Sequence, residues 1–152
     1  MMKRILLTTA ALFALAIPSA LAADKEGHDT HAGHASMARV AHEEVVDGVK
    51  VTFSVQTMAD AMKGQMPKGI RETHHIAVLF RDAKSGRTIT EGTARIKVQN
   101  PDKSGQVKDL QGMHGHFGAD FEMATKGRYG IMCKFLLKGD KPRQVKFWYS
   151  SR

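Results

Sequence analysis

Val49, Val51, Phe53 and Val55 alternate with Lys50, Thr52 and Ser54, and this alternation constrains the chain more than any other feature. A period of two gives a strand one buried face and one wet face. The pattern returns in short stretches. Residues 74–81 are apolar through their middle, as in a buried strand, and residues 93–99 alternate again. Residues 107–110 and 117–123 read as short strands, and 129–137 and 145–149 as longer ones. Turn residues separate them at 82–86, 100–105 and 139–142, and Asp47-Gly48 marks a hairpin between Val45 and Val49. About seven short strands at near-regular spacing predict an all-β sandwich. The expected core is Phe53, Ile76, Val78, Phe80, Ile96, Val98, Phe121, Tyr129, Ile131, Phe135 and Phe147.

Residues 57–66 alone lose the alternation. They read as one short helical or loop insertion, with Thr57 as cap, Asp60 at the capping-box position, and Gly64 and Pro67 as stops. Ahead of the strands lie two segments of another kind. Residues 1–22 have a basic start at Lys3 and Arg4, a short apolar stretch and a small-residue end at Ala20 and Ala22. This is the pattern of a signal peptide, too short for a membrane span of ~20 apolar residues. It predicts export to the periplasm with no membrane insertion after cleavage. Residues 23–42 are polar and rich in Gly, Ala and His, and are expected to be a flexible His-rich tail. The sandwich domain is then 43–152.

Removing 22 residues from 152 leaves 130, enough for one domain of ~100–150 residues plus a tail. Lys3 and Arg4 leave with the signal, so the formal charge falls from +8 to +6. The excess is spread along the chain as on a solvated surface, without the basic stripe and interleaved aromatics of a nucleic-acid binder. Cys133 is the sole cysteine, so no intrachain disulfide can form. It falls on the apolar side of the 129–137 alternation and is expected to be an inert core thiol rather than a ligand.

All eight histidines fall in three places: the tail (His28, His31, His34, with His42 just beyond), the doublet His74-His75, and the run Gly112-Met113-His114-Gly115-His116. Met58, Met62 and Met66 precede the doublet at four-residue spacing. Imidazole and thioether together favour copper, as Cu(I) or Cu(II), ahead of zinc or nickel. His114 and His116, two apart, would share a face if they lay in one strand, with Met113 adding a thioether. The doublet is more restricted. If Ile76, Val78 and Phe80 point inward, His74 points in with them and His75 points out. The methionines would stack on one face of a helix, either covering core or standing as an exposed soft-ion arm. The candidate metal residues are therefore His116, His114, Met113, His75, His74, Met58, Met62 and Met66. His114 and His116 could equally be solvated loop histidines.

No catalytic motif appears. There is no H-E-x-x-H, no G-x-S-x-G and no C-x-x-C-H, and no histidine follows Cys133 as a blue-copper site would require. The chain is expected not to be an enzyme.

Thr73-His-His-Ile-Ala-Val-Leu-Phe-Arg, the strand ending Asn100-Pro-Asp, the run 110–123, Lys126-Gly-Arg-Tyr-Gly-Ile-Met-Cys and Lys146-Phe-Trp-Tyr follow in an order that resembles bacterial YtkA-like/FixH-like exported domains. The organisation is also similar to small periplasmic copper-binding proteins. The resemblance covers about half of the chain. It implies an immunoglobulin-like β-sandwich with a metal-related periplasmic role, and places Met113 and His116 in the family-like M-x-G-H-[FY]-G run. The chain lacks the H-x-M pair of periplasmic copper chaperones that serve cytochrome oxidase, and the amino-terminal histidine of CopC-like proteins. The expectation is a copper chaperone, buffer or resistance factor. The alternative is a non-catalytic module that docks a membrane transporter or an oxidase assembly protein.

Overall fold

A computed structural model describes residues 38–152. The expected signal peptide, and the tail with His28, His31 and His34, lie outside the described residues. Ten strands and one helical turn follow in order: β1 (Arg39–Val46), β2 (Val49–Thr57), α1 (Met58–Ala61), β3 (His74–Asp82), β4 (Thr88–Ile89), β5 (Gly92–Gln99), β6 (Gly105–Asp109), β7 (Gln111–Met113), β8 (His116–Phe121), β9 (Gly127–Leu137) and β10 (Arg143–Ser151). Seven are the strands legible in the sequence. The others, β1, β4 and β7, are short or lack apolar alternation.

The strands pair antiparallel in two sheets. The first runs β1-β2-β3-β8-β7 with β4 on the far part of β3, and the second runs β10-β9-β5-β6. Taken in chain order, β2, β3, β8 and β7 hold the positions of strands A, B, E and D of an immunoglobulin fold, and β5, β6, β9 and β10 those of C, C′, F and G. A corner hydrogen bond agrees with this: near the start of β9, the Tyr129 hydroxyl donates to the Thr125 carbonyl at 2.6 Å, as the tyrosine at the start of strand F does in such sandwiches. The immunoglobulin-like expectation therefore stands, with β1 and β4 as additions.

The core lies between the sheets. Ten of the eleven expected residues are buried, and Phe147 is partly buried against them. Phe80 bridges the layers, with ring centroids 4.6 Å from Phe135 of the second sheet and 5.5 Å from Phe117 of the first. Cys133 is fully buried, and burial pushes its thiol up to about 12. It therefore stays protonated and unreactive, since the thiolate is the reactive form.

Two details differ from the sequence reading. The β1 strand takes in Arg39–His42, four residues read as tail. His42 stacks on Phe147 at 4.6 Å, so it belongs to the margin of the core. The second concerns the methionines. Thr57 does cap α1, its hydroxyl accepting from the Asp60 amide at 3.0 Å, but the helix ends after Ala61. Met62 is the C-cap, and Lys63 and Gly64 then take positive φ of 50° and 79°. A left-handed pair ends helical propagation, so Met66 never joins a helical stack with Met58 and Met62. Nor are the three an exposed arm. Between residues 58 and 71 they are the only half-buried positions.

Candidate metal centre on the outer face of the first sheet

Strand parity decides where each histidine points. Ile76, Val78 and Phe80 face the core, so His74 faces in and His75 faces out. His74 is 8% exposed, its Nδ1 lies 2.9 Å from the Thr73 hydroxyl, and its ring meets Tyr149 edge-on. Burial lowers its pKa, opposed by the Asp60 carboxylate. It is separated from His116 by the sheet itself, and of the doublet only His75 shares the face of His116.

On β8, Phe117 and Phe121 are buried, which turns His116, Gly118 and Asp120 to the outer face. The register pairs His75 with Asp120, Ala77 with Gly118, Gln111 with Gly118, and Met113 with His116. Directly opposed strand residues project to the same side. The outer face therefore collects His75, Asp120, His116, Met113 and Gln111 around Gly118.

Gly118 is the floor of this cluster. A Cβ there would stand 2.6 Å from His75 Nε2 and 2.8 Å from Cε1, so the imidazole lies directly over the glycine. At its other edge, His75 Nδ1 is 2.6 Å from the Asp120 carboxylate. A carboxylate accepting from Nδ1–H fixes the tautomer that leaves Nε2 with a free lone pair. His116 closes the far side, its ring perpendicular to that of His75 with centroids 6.5 Å apart. Two imidazoles held at metal–nitrogen bonds of about 2.0–2.1 Å have centroids roughly 5–6 Å apart, so the separation of this pair is slightly wider than that of two ligands on one ion. Among the described residues, no three His, Cys, Asp or Glu side chains already stand as a closed metal cage.

His114 is not a strand residue, so the two-residue spacing to His116 does not place both on one strand face. His114 and Gly115 form the two-residue turn between β7 and β8, with φ of 40° and 91°. Positive φ at both positions makes a tight hairpin, and histidine enters the left-handed region more readily than most side chains. His114 is exposed at the tip, close enough for its charge to act on His116. The His116 pKa is lowered, first by burial and then by repulsion from His75 and His114. A lowered pKa keeps the imidazole neutral, and so able to donate its lone pair, into mildly acidic conditions.

Asp120 and Gly118 escaped the sequence reading. The signal was present as His116-x-Gly118-x-Asp120, a period-two set opposite the apolar Phe117 and Phe121. Its meaning depends on the partner strand, which no local pattern supplies. The structure brings together His75, His116 and Met113, with His114 at the rim. It leaves His74 inside, and it divides Met58, Met62 and Met66 between a single helical turn and the loop after it.

His74 and His116 both have pKa values below the ordinary 6.5. The unfolded chain therefore binds more protons just below pH 6.5, and stability falls as pH falls through that range. We expect urea midpoints to be flat from pH 8 to 7 and to decline between pH 6.5 and 5, before the carboxylates titrate. His116→Asn should flatten part of the decline, and an unchanged slope in that variant would contradict the assignment.

No protein-family model matches the chain, and no curated protein matches it. Among the described residues, no helix is long and apolar enough to cross a membrane. Solved structures share the fold at low identity. FetP of a uropathogenic E. coli strain, expressed in the periplasm, aligns at 14% identity and a TM-score of 0.58 over 74% of this chain and 93% of FetP. A DUF4426 family protein from Pseudomonas aeruginosa aligns at 13% identity and 0.56, over 72% and 96%. A copper-bound variant of P19 from Campylobacter jejuni aligns at 14% identity and 0.54, over 74% and 95%. At such identities the likeness is one of architecture, and the chain is a two-sheet β-sandwich similar to these small proteins.

Proposed function

We propose that this protein is a periplasmic, non-catalytic copper-binding protein, a chaperone, buffer or resistance factor, that holds the ion on the outer face of its first sheet. One observation carries the reading: His75, braced by Asp120 through Nδ1, holds its other nitrogen over Gly118 beside the ring of His116, whose strand partner is Met113. A carboxylate-braced imidazole is the usual arrangement of a metal-ligating histidine. Two imidazoles with a thioether favour copper over harder ions. The copper-bound P19 variant among the fold neighbours, the signal-like start and the YtkA-like/FixH-like motif order support the same reading.

The ligands are neutral, and the site is open to solvent on one side, which suits exchange. His114 at the hairpin tip can supply a transient ligand during capture or release. Delivery would be to a membrane transporter or an oxidase assembly protein. Met58, Met62 and Met66, half-buried at the His74 end of β3, would at most add thioethers after local opening.

The test is a competition titration of the metal-free protein with Cu(I) and with Cu(II). One ion per chain should bind in at least one oxidation state. His116→Ala should weaken binding by about 10–100-fold, the scale on which metal sites respond to loss of a supporting group or more. Unchanged affinity in His116→Ala, or no competition by the native protein, would refute the proposal.

A further inference from the structure

The outer face of the second sheet has a different chemistry. Its core side is set by Ile96, Val98, Ile131, Cys133 and Val145, so the alternate residues of β5, β9 and β10 point to solvent. The register places Lys146, Met132, Lys97 and Val107 in one row across all four strands, and Gln144, Lys134, Arg95 and Asp109 in the next. Arg95 is held by Asp109 through two hydrogen bonds. Lys97, Lys134, Lys146 and Arg128 have no carboxylate partner among the described residues. These cations come from separate stretches of sequence and are gathered by pairing alone.

Trp148 lies among them, 57% exposed. Its ring lies over Gly130, 3.1 Å from where a Cβ would stand, and the Arg128 guanidinium is 4.6 Å from its centroid. The indole thus rests against Gly130 and the Arg128 guanidinium and leaves more than half of its surface to solvent. The half-buried Met132 between Lys146 and Lys97, and Val107 beyond Lys97, also 57% exposed, add apolar surface to the row. A broad face with cations near an exposed indole matches a planar, anionic, amphipathic surface. Trp favours the boundary between headgroups and acyl chains, and lysine stems can lie along apolar surface while their ammonium groups reach phosphates.

We propose that this face docks the protein on an anionic phospholipid surface, with Trp148 seated among the headgroups and Lys97, Lys134 and Lys146 on the phosphates. The inference is independent of the metal reading, since the histidine cluster lies on the other sheet. It would leave that cluster facing the solvent.

Trp148 is the single tryptophan of the chain, so its fluorescence reports this face without interference. The protein as purified is mixed with phosphatidylglycerol or phosphatidylcholine vesicles, and with duplex DNA as a non-lipid polyanion. On phosphatidylglycerol, Trp148 emission should shift to the blue and be quenched by lipids brominated near the headgroup. Phosphatidylcholine should leave it unchanged, and added salt should reverse the effect. Each lysine near an anionic surface contributes about a five-fold factor in partition. The triple variant Lys97→Gln/Lys134→Gln/Lys146→Gln should therefore partition about 100-fold more weakly, with an unchanged circular dichroism spectrum. The N-terminal apolar segment is common to native and variant chains and cannot produce that difference. Co-sedimentation without a Trp148 shift, equal response to both lipids, an unaffected triple variant, or a shift with DNA but not with phosphatidylglycerol would each overturn the proposal.

Discussion

Gly118→Val is expected to reduce copper affinity by about 100-fold or more while the sandwich stays folded. The new Cβ would stand 2.6 Å from His75 Nε2, so the imidazole has to leave its place over β8. That movement breaks the 2.6 Å contact with Asp120, and with it the fixed tautomer. The isopropyl group would then fill the gap between His75 and His116. Loss of a bracing group alone costs 10–100-fold in metal affinity, and here a ligand and the space for the ion go with it. Valine is favoured in strands, and the outer face imposes no core packing on it, so the unfolding midpoint should move little. The competition titration checks the affinity, and the His75 ring-nitrogen resonances check the displacement. Native-like copper binding by this variant would place the site elsewhere.

Phe80→Ala is expected to cost about 3–5 kcal/mol of folding stability, the range for a buried phenylalanine reduced to alanine. Phe80 is fully buried, and it touches aromatic rings in both sheets. Its removal therefore opens a cavity between the layers and also removes two aromatic contacts, each worth about 0.5–1.5 kcal/mol beyond area burial. The pleated backbone on either side is held by hydrogen bonds and cannot collapse far into the void. Against a typical domain stability of roughly 5–15 kcal/mol, the loss is large. Urea denaturation should show a lower midpoint with little change in slope. A shift below about 1 kcal/mol would mean that the two layers do not depend on this residue.

Both predictions depend on a property of strands that is legible in the amino-acid order itself. Alternation assigns a face to every residue, and that rule identifies the core and places His74 inside and His75 outside. It also identifies Cys133 as a core thiol, because residues 129–137 carry their apolar side chains at odd positions. The same logic fails at His114, since parity holds only within a strand and Met113 ends β7. It fails at Met58, Met62 and Met66 because a helical period needs a helix, and the chain turns left-handed at Lys63 and Gly64. The strands β4 and β7, and β1 ahead of its Asp47-Gly48 hairpin, escape it for a related reason. They are fixed by hydrogen bonds to a neighbouring strand, and their own side chains carry little apolar alternation.

The sequence alone therefore determined the fold class, the buried face of each long strand and the outward direction of His75. These follow from local periodicity and from the cost of burying polar side chains. Only the tertiary structure decided which residues meet. Asp120 lies 45 positions from His75 and reaches it because β3 pairs with β8 in one register. A slip of one residue would turn the opposed side chains to the other face and separate Asp120 from His75. The four cations around Trp148 are likewise a product of pairing among β5, β9 and β10. Cross-strand register is set by the packing of the whole core, so neither cluster has a local signature from which it could be read.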